Sequence, residues 1–107
     1  MRSADVFFNN RKAGVLSEYS SNKFGFIYDS LYLADEKAPA ISYSLPKQTE
    51  EFVADKIFPF FANMLPEGKN LEIFCRVNQV DANDLFGVLL ATSNIDNIGA
   101  VSVRSVR

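Results

Sequence analysis

"ADVFFNNRKAGVLSEYSSNKFGFIYD", residues 4–29, alternates apolar and polar side chains in three runs separated by turn formers. In the first run Val6 and Phe8 share one side of a pleat and Phe7 takes the other. "NNRKAG" is rich in turn residues, and a hairpin is expected to turn near Asn9 to Lys12. The second run resumes with Val15 alternating with Tyr19 through Ser17. "SSNK" is a further polar turn, because Ser and Asn side chains bond readily to their own local backbone. The third run places Phe24, Phe26 and Tyr28 on one face. Gly25 lies on the opposite face, where a missing side chain lets another group pack closely. Three strands with short links predict an antiparallel meander.

The rest of the chain is read outward from that meander. "SLYLADEKAPA" (residues 30–40) reads as one helical turn followed by a loop, since Pro39 opposes regular structure. "AISYSLP" alternates again, with Ile41, Tyr43 and Leu45 on one face, and Pro46 ends it as a short or edge strand. From Phe52 the period changes. Val53, Ile57, Phe60 and Met64 fall at helical steps of three and four. Pro59 lacks an N–H, so this helix either kinks there or starts near it. Glu50 and Glu51 then read as the solvated start of the helix, and "LPEG" stops it. A second helix places Leu71, Phe74 and Val77 or Arg76 one turn apart. "DAND" starts a third, with Asp81 as cap, Asp84 at the positive end of the dipole, and Leu85, Phe86, Leu89 and Leu90 as buried stripe. "IGAVSVRSV" closes the chain as a strand returning to the sheet. The expected fold class is α+β: a mostly antiparallel sheet, built from the N-terminal meander and the C-terminal strand, with about three helices packed on it.

Composition narrows the function. The chain has 107 residues, 48% of them apolar and 22% charged, as expected of one folded domain over residues 1–107. No run of about 18 apolar residues could span a membrane, and "MRSADVFFNN" lacks the pattern of a signal peptide. The single cysteine, Cys75, fits a reducing compartment, so a cytoplasmic location is expected. Net charge is −2, from 11 basic and 13 acidic residues. Nucleic-acid binding needs a basic footprint. The only basic concentration, Arg104 and Arg107, reads as a solvated chain end.

Catalytic chemistry finds few supports. The absence of histidine removes the commonest general base and metal ligand. Cys75, between Phe74 and Arg76, reads more readily as a small core residue than as a reactive thiol. The five glycines never approach a phosphate-cradling spacing. The chain is expected not to be an enzyme and to use neither cofactor nor metal. What remains is "FFANMLPEG", in which Phe60, Phe61, Met64 and Leu65 run into a Pro-Glu-Gly corner. All four could be core, yet together they span more than one narrow stripe. Met64 or Leu65 is the side chain expected to project, and methionine's flexible thioether suits contact with a partner.

"PFFANMLPEG" (residues 59–68) resembles the most recognisable stretch of the N-terminal domain of HipA-type toxin kinases, a Phe-Phe pair preceding Asn, two large aliphatics and Pro-Glu. Further landmarks follow in order: "VFFNNRKAGVLS" is similar to the family's first hairpin, "ISYSLP" to its Ser-Leu-Pro segment, "NDLFGVLLA" to its Asp-x-Phe-x-Leu-Leu helix, and "IGAV" to the Gly-Ala leading towards the kinase core. Gly87 departs from the usual Ala, and "SNIDNIGA" lacks the usual cysteine. The resemblance implies a HipA N-terminal-like fold. It leaves two contexts open, a cut piece of a longer kinase or a separate small protein, and Met1 with the strand-like ending favours the latter. Small proteins of the HipS type accompany a shortened HipT kinase and a DNA-binding HipB protein, and act as antitoxin. The resemblance thus implies an antitoxin that binds and inhibits a HipT-like serine/threonine kinase, with a HipB-like protein possible in a ternary complex, and no direct contact with nucleic acid or membrane. The alternative is a non-inhibitory structural domain mediating assembly with HipB. The corner Asn63, Met64, Leu65, Pro66, Glu67 and Gly68 is the candidate kinase contact, on the strength of its position at a proline turn.

Overall fold

The computed structural model describes residues 1–92 and 101–105. Strands β1 (Arg2–Phe8), β2 (Arg11–Ser20) and β3 (Lys23–Tyr28) form the expected meander. They are followed by α1 (Ser30–Ala34), β4 (Phe52–Ala54), α2 (Pro59–Ala62), α3 (Gly68–Asn78), α4 (Leu85–Ala91) and β5 (Val101–Ser105). The five strands lie in the order β4-β3-β2-β1-β5, and every pairing is antiparallel.

The first hairpin turns on Asn9 and Asn10, both at positive φ (51° and 67°). Those angles match the right-handed twist of the flanking strands, and Asn is the side-chain-bearing residue that tolerates them best. The register then slips between Val6 and Phe7, leaving Ala13 as an extra residue on β2. Its carbonyl is not idle: it accepts the Asp29 N–H at 2.7 Å, tying the bulge to the start of α1. The Asp29 side chain in turn accepts the Leu31 N–H and caps that helix.

Register sorts the two faces of the sheet. Ala4, Val6, Leu16, Phe24, Phe26, Tyr28 and Val103 point to one side, and all are buried. Helices cover that side. Tyr32 of α1 stacks on Tyr28, Phe61 of α2 meets Phe26, and Phe86 of α4 lies beside Phe24. Val15, Ile27, Val53 and Tyr19 share the other face with Phe7, and Leu16 rather than its neighbour Val15 fills the core. Gly25 sits on that outer face as expected. A Cβ there would collide with the Tyr19 ring and the Glu51 carboxylate, and those two side chains hydrogen-bond to each other across it.

Four expectations are corrected. Residues 41–46 form a turn, not a strand. The Leu45 N–H bonds the Ser42 carbonyl, the Ser42 hydroxyl accepts the Ser44 N–H, and Tyr43 is thrown fully into solvent while Ile41 and Leu45 stay buried. The buried Tyr28 hydroxyl organises this turn by accepting the Ile41 N–H and donating to the Leu45 carbonyl. Second, Phe52–Ala54 is not helical but pairs with β3 as an edge strand; of the two readings of the helix, the start near Pro59 holds, where the absent N–H costs nothing, and the kink does not. Glu50 and Glu51 accordingly precede a strand. Third, the cap of α4 is Asp84, whose carboxylate accepts the Gly87 N–H at 3.1 Å; Asp81 instead accepts the Asn83 N–H in the preceding turn. Fourth, of the expected stripe of α4, Phe86 and Leu89 are buried but Leu90 is half-buried and Leu85 exposed, and Val88 is buried in addition. The one-turn α1 brings the helical segments to four among the described residues. The "SNIDNIGA" stretch and Arg107 lie outside them.

Candidate functional site

The corner begins with a short helix. Pro59 occupies the first position of α2, and Phe58 leads in with extended backbone and no side-chain cap. Phe61, Ala62 and Asn63 donate to the Phe58 and Pro59 carbonyls, all at 2.9 Å. The ladder then tightens to i→i+3 spacing. Met64 N–H bonds the Phe61 carbonyl and Leu65 N–H the Ala62 carbonyl, each at 3.1 Å. Pro66 has no N–H with which to continue, so the chain swings out through extended Glu67 and re-enters a helix at Gly68. Gly68 has φ +58° with open space around it, so its backbone conformation, not crowding, calls for glycine there.

Burial divides the residues of this stretch by role. Phe61 is completely buried, with its ring 5.2 Å from Phe60, 5.8 Å from Phe26 and 6.4 Å from Phe58. Phe60, Met64 and Leu65 are half-buried and rest against the core edge. Pro66 is also half-buried, and Asn63, Glu67 and Gly68 are exposed. The six candidate residues therefore form one contiguous turn whose apolar members are anchored on one side and open on the other. The Glu67 side chain does not cap α3, and among the described residues it has no ion-pair partner. Its carboxylate is available to a cation from outside.

A second cluster escaped the sequence reading. The Arg2 guanidinium bridges Glu18 (Nε to Oε1 2.8 Å) and grips both oxygens of Asp84 (2.9 and 2.7 Å), with its carbon 5.2 Å from the Phe86 ring centre. Arg2 holds the Asp84 carboxyl below the usual carboxylate range; burial acts in the opposite direction, and the Gly87 N–H assists Arg2. This cluster ties β1, β2 and the start of α4 together. It also accounts for glycine at position 87, because a Cβ there would run into the Asp84 carboxylate and approach the Arg2 guanidinium at 3.3 Å. Half of the cluster was legible in principle: a hairpin turning on Asn9–Asn10 with one bulge sets Arg2 opposite Glu18. Cys75 is buried, as a core residue would be.

Among the described residues, no helix is long and apolar enough to cross a membrane. The HipA N-terminal domain family model matches residues 4–104. An uncharacterized protein of Haemophilus influenzae is 31% identical over 105 residues, which cover 97% of this chain and 92% of that protein. A Sinorhizobium fredii protein named "Putative kinase Y4mE" is 34% identical over 67 residues, 63% of this chain but 16% of that protein. Among solved structures, one titled "N-terminal domain of HipA toxin" superposes with a TM-score of 0.73 at 29% identity, covering 100% of this chain and 94% of that one. The five-stranded antiparallel sheet with its helices is thus the HipA N-terminal architecture, and the chain is related to the proteins of HipA kinase toxin–antitoxin systems. The chain belongs to the HipA N-terminal domain family.

Proposed function

We propose that this chain is an antitoxin of the HipS kind, which binds and inhibits a partner HipA-like (HipT) serine/threonine kinase without catalysing a reaction itself. One observation carries the reading. The same domain makes up nearly the whole of a small Haemophilus relative and only a 16% slice of a kinase-named one, so it occurs both with and without a large remainder. A domain that packs against a kinase when joined to it retains a kinase-complementary surface when separate. We assign that surface to Asn63–Gly68, with Met64 and Leu65 as anchors and Glu67 facing a basic group of the kinase. A rigid corner seated at the kinase cleft would hinder closure or substrate access. The complex would form in the cytoplasm, with no contact to membrane or nucleic acid by this chain.

The test is inhibition of the purified kinase. Wild type is expected to suppress phosphoryl transfer, and Met64→Asp to lose at least about tenfold in affinity, as expected for a central apolar anchor. Unchanged inhibition by a folded Met64→Asp protein would remove the corner from the account. The Sinorhizobium relative also favours a second reading, a non-inhibitory domain that helps a kinase assemble with a HipB-like DNA-binding protein. Under that reading wild type binds without suppressing kinase activity.

A further inference from the structure

Helix α3 turns Cys75 and Phe74 towards the rest of the chain and leaves Lys69, Glu72, Ile73, Arg76 and Val77 exposed. At about 3.6 residues per turn, four of these fall into two lines side by side, Glu72 with Arg76 and Ile73 with Val77. Ile73 is 55% exposed and Val77 74%. A lone exposed aliphatic is ordinary, but here two sit one turn apart. Both are β-branched, a type that helix formation itself does not favour on an outward face. Glu72 and Arg76 carry opposite charges at the spacing of an intrahelical pair. Among the described residues, neither has an ion-pair partner.

We infer that this face pairs with α3 of a second copy of the chain, the two helices running antiparallel about a two-fold axis. An isologous contact requires one patch to complement itself, and here the order of residues does so. With the axis level with Phe74 and Cys75, Glu72 of each copy meets Arg76 of the other, and Ile73 of each meets Val77 of the other. That axis lies perpendicular to the plane of the two helices, so it carries the charged line onto the charged line and the apolar line onto the apolar one. Lys69 falls opposite Gln79 and Val80, both uncharged, and no like charges are brought together. A parallel pairing would set charged against apolar. Carboxylate and guanidinium on one face suit a partner of neither single sign, whereas a second copy supplies both in matching order. A face of three turns is small for an interface, so the expected dissociation constant is on the order of 100 µM. None of these residues belongs to Asn63–Gly68, and the pairing stands without the kinase reading.

Sedimentation equilibrium of the whole chain, from about 10 µM to about 1 mM, reads the pairing directly. Wild type is expected to move from the 12.0 kDa monomer towards twice that mass. Ile73→Ala combined with Val77→Ala removes the apolar line and is expected to weaken pairing at least about tenfold. Alanine is the better helix former at both positions, and thermal melts verify that the variants fold. Charge reversal tests the register. Glu72→Arg leaves only cations on the charged line and Arg76→Glu only carboxylates, so each protein alone is expected to pair about tenfold more weakly than wild type. Mixed in equal amounts, the two are expected to recover it, because every cation then meets a carboxylate. A monomer throughout the range, undiminished pairing in the alanine variant, or a mixture no tighter than either charge variant alone would each overturn the inference.

Discussion

Asp84 concentrates two tasks in one carboxylate, accepting the Gly87 N–H as helix cap and receiving both guanidinium nitrogens of Arg2. The side chains of Arg2 and Asp84 are 39% and 36% exposed, so solvent screens the pair and its charge is worth at most about 1 kcal/mol. The cap adds about 1 kcal/mol. Asp84→Ala should therefore cost about 1–2 kcal/mol, and Asp84→Asn, which keeps an acceptor oxygen, about half of that. The sign with pH follows from the lowered carboxyl. Its stabilisation is complete above the ordinary carboxylate range and is lost as pH falls through the depressed folded-state value. The gap in melting temperature between wild type and Asp84→Asn, measured by circular dichroism, should be widest near neutrality and close in strong acid. A gap that widened in acid would contradict the assignment.

Elements differ in how much of their cause is local. The meander was legible because its bulky residues alternate and its turns carry Asn and Ser. A positive-φ pair at Asn9–Asn10 gives a direct check: Asn10→Gly should be neutral or stabilising by several tenths of a kcal/mol, whereas Asn10→Val should cost about 1–2 kcal/mol by urea denaturation. Residues 52–54 were misread because Val53, Ile57, Phe60 and Met64 do have helical spacing. The strand there is imposed from outside, by pairing Phe52 with Phe26 and Ala54 with Phe24. Residues 41–46 show the opposite error. Alternation suggested a strand, but the serine hydroxyls captured local N–H groups and the Tyr28 hydroxyl fixed the turn from below. The corner itself was found from sequence because Pro66 and Gly68 leave the backbone little choice. Which of its side chains face outward needed the neighbouring packing.

At the scale of the whole molecule, one sheet face carries the core and the corner hangs from its edge. Phe61→Ala should therefore act globally, costing about 3–5 kcal/mol and largely unfolding the chain in thermal melts. Met64 and Leu65 are half-buried, so an acidic substitution at either should cost about 1–2 kcal/mol and lower the melting temperature by several degrees without unfolding it. That difference separates loss of fold from loss of contact. The long-range contact of Arg2 on Asp84, across 82 residues, has no periodic signature, because side chains so far apart in sequence meet only after the sheet closes. The most direct measurement is growth of cells co-expressing the partner kinase with wild type or with Met64→Asp/Leu65→Asp, each verified as folded. The account predicts that wild type restores growth and the double variant does not. Equal rescue by both would show that the corner is not the inhibitory contact, and rescue by neither would contradict the antitoxin function itself.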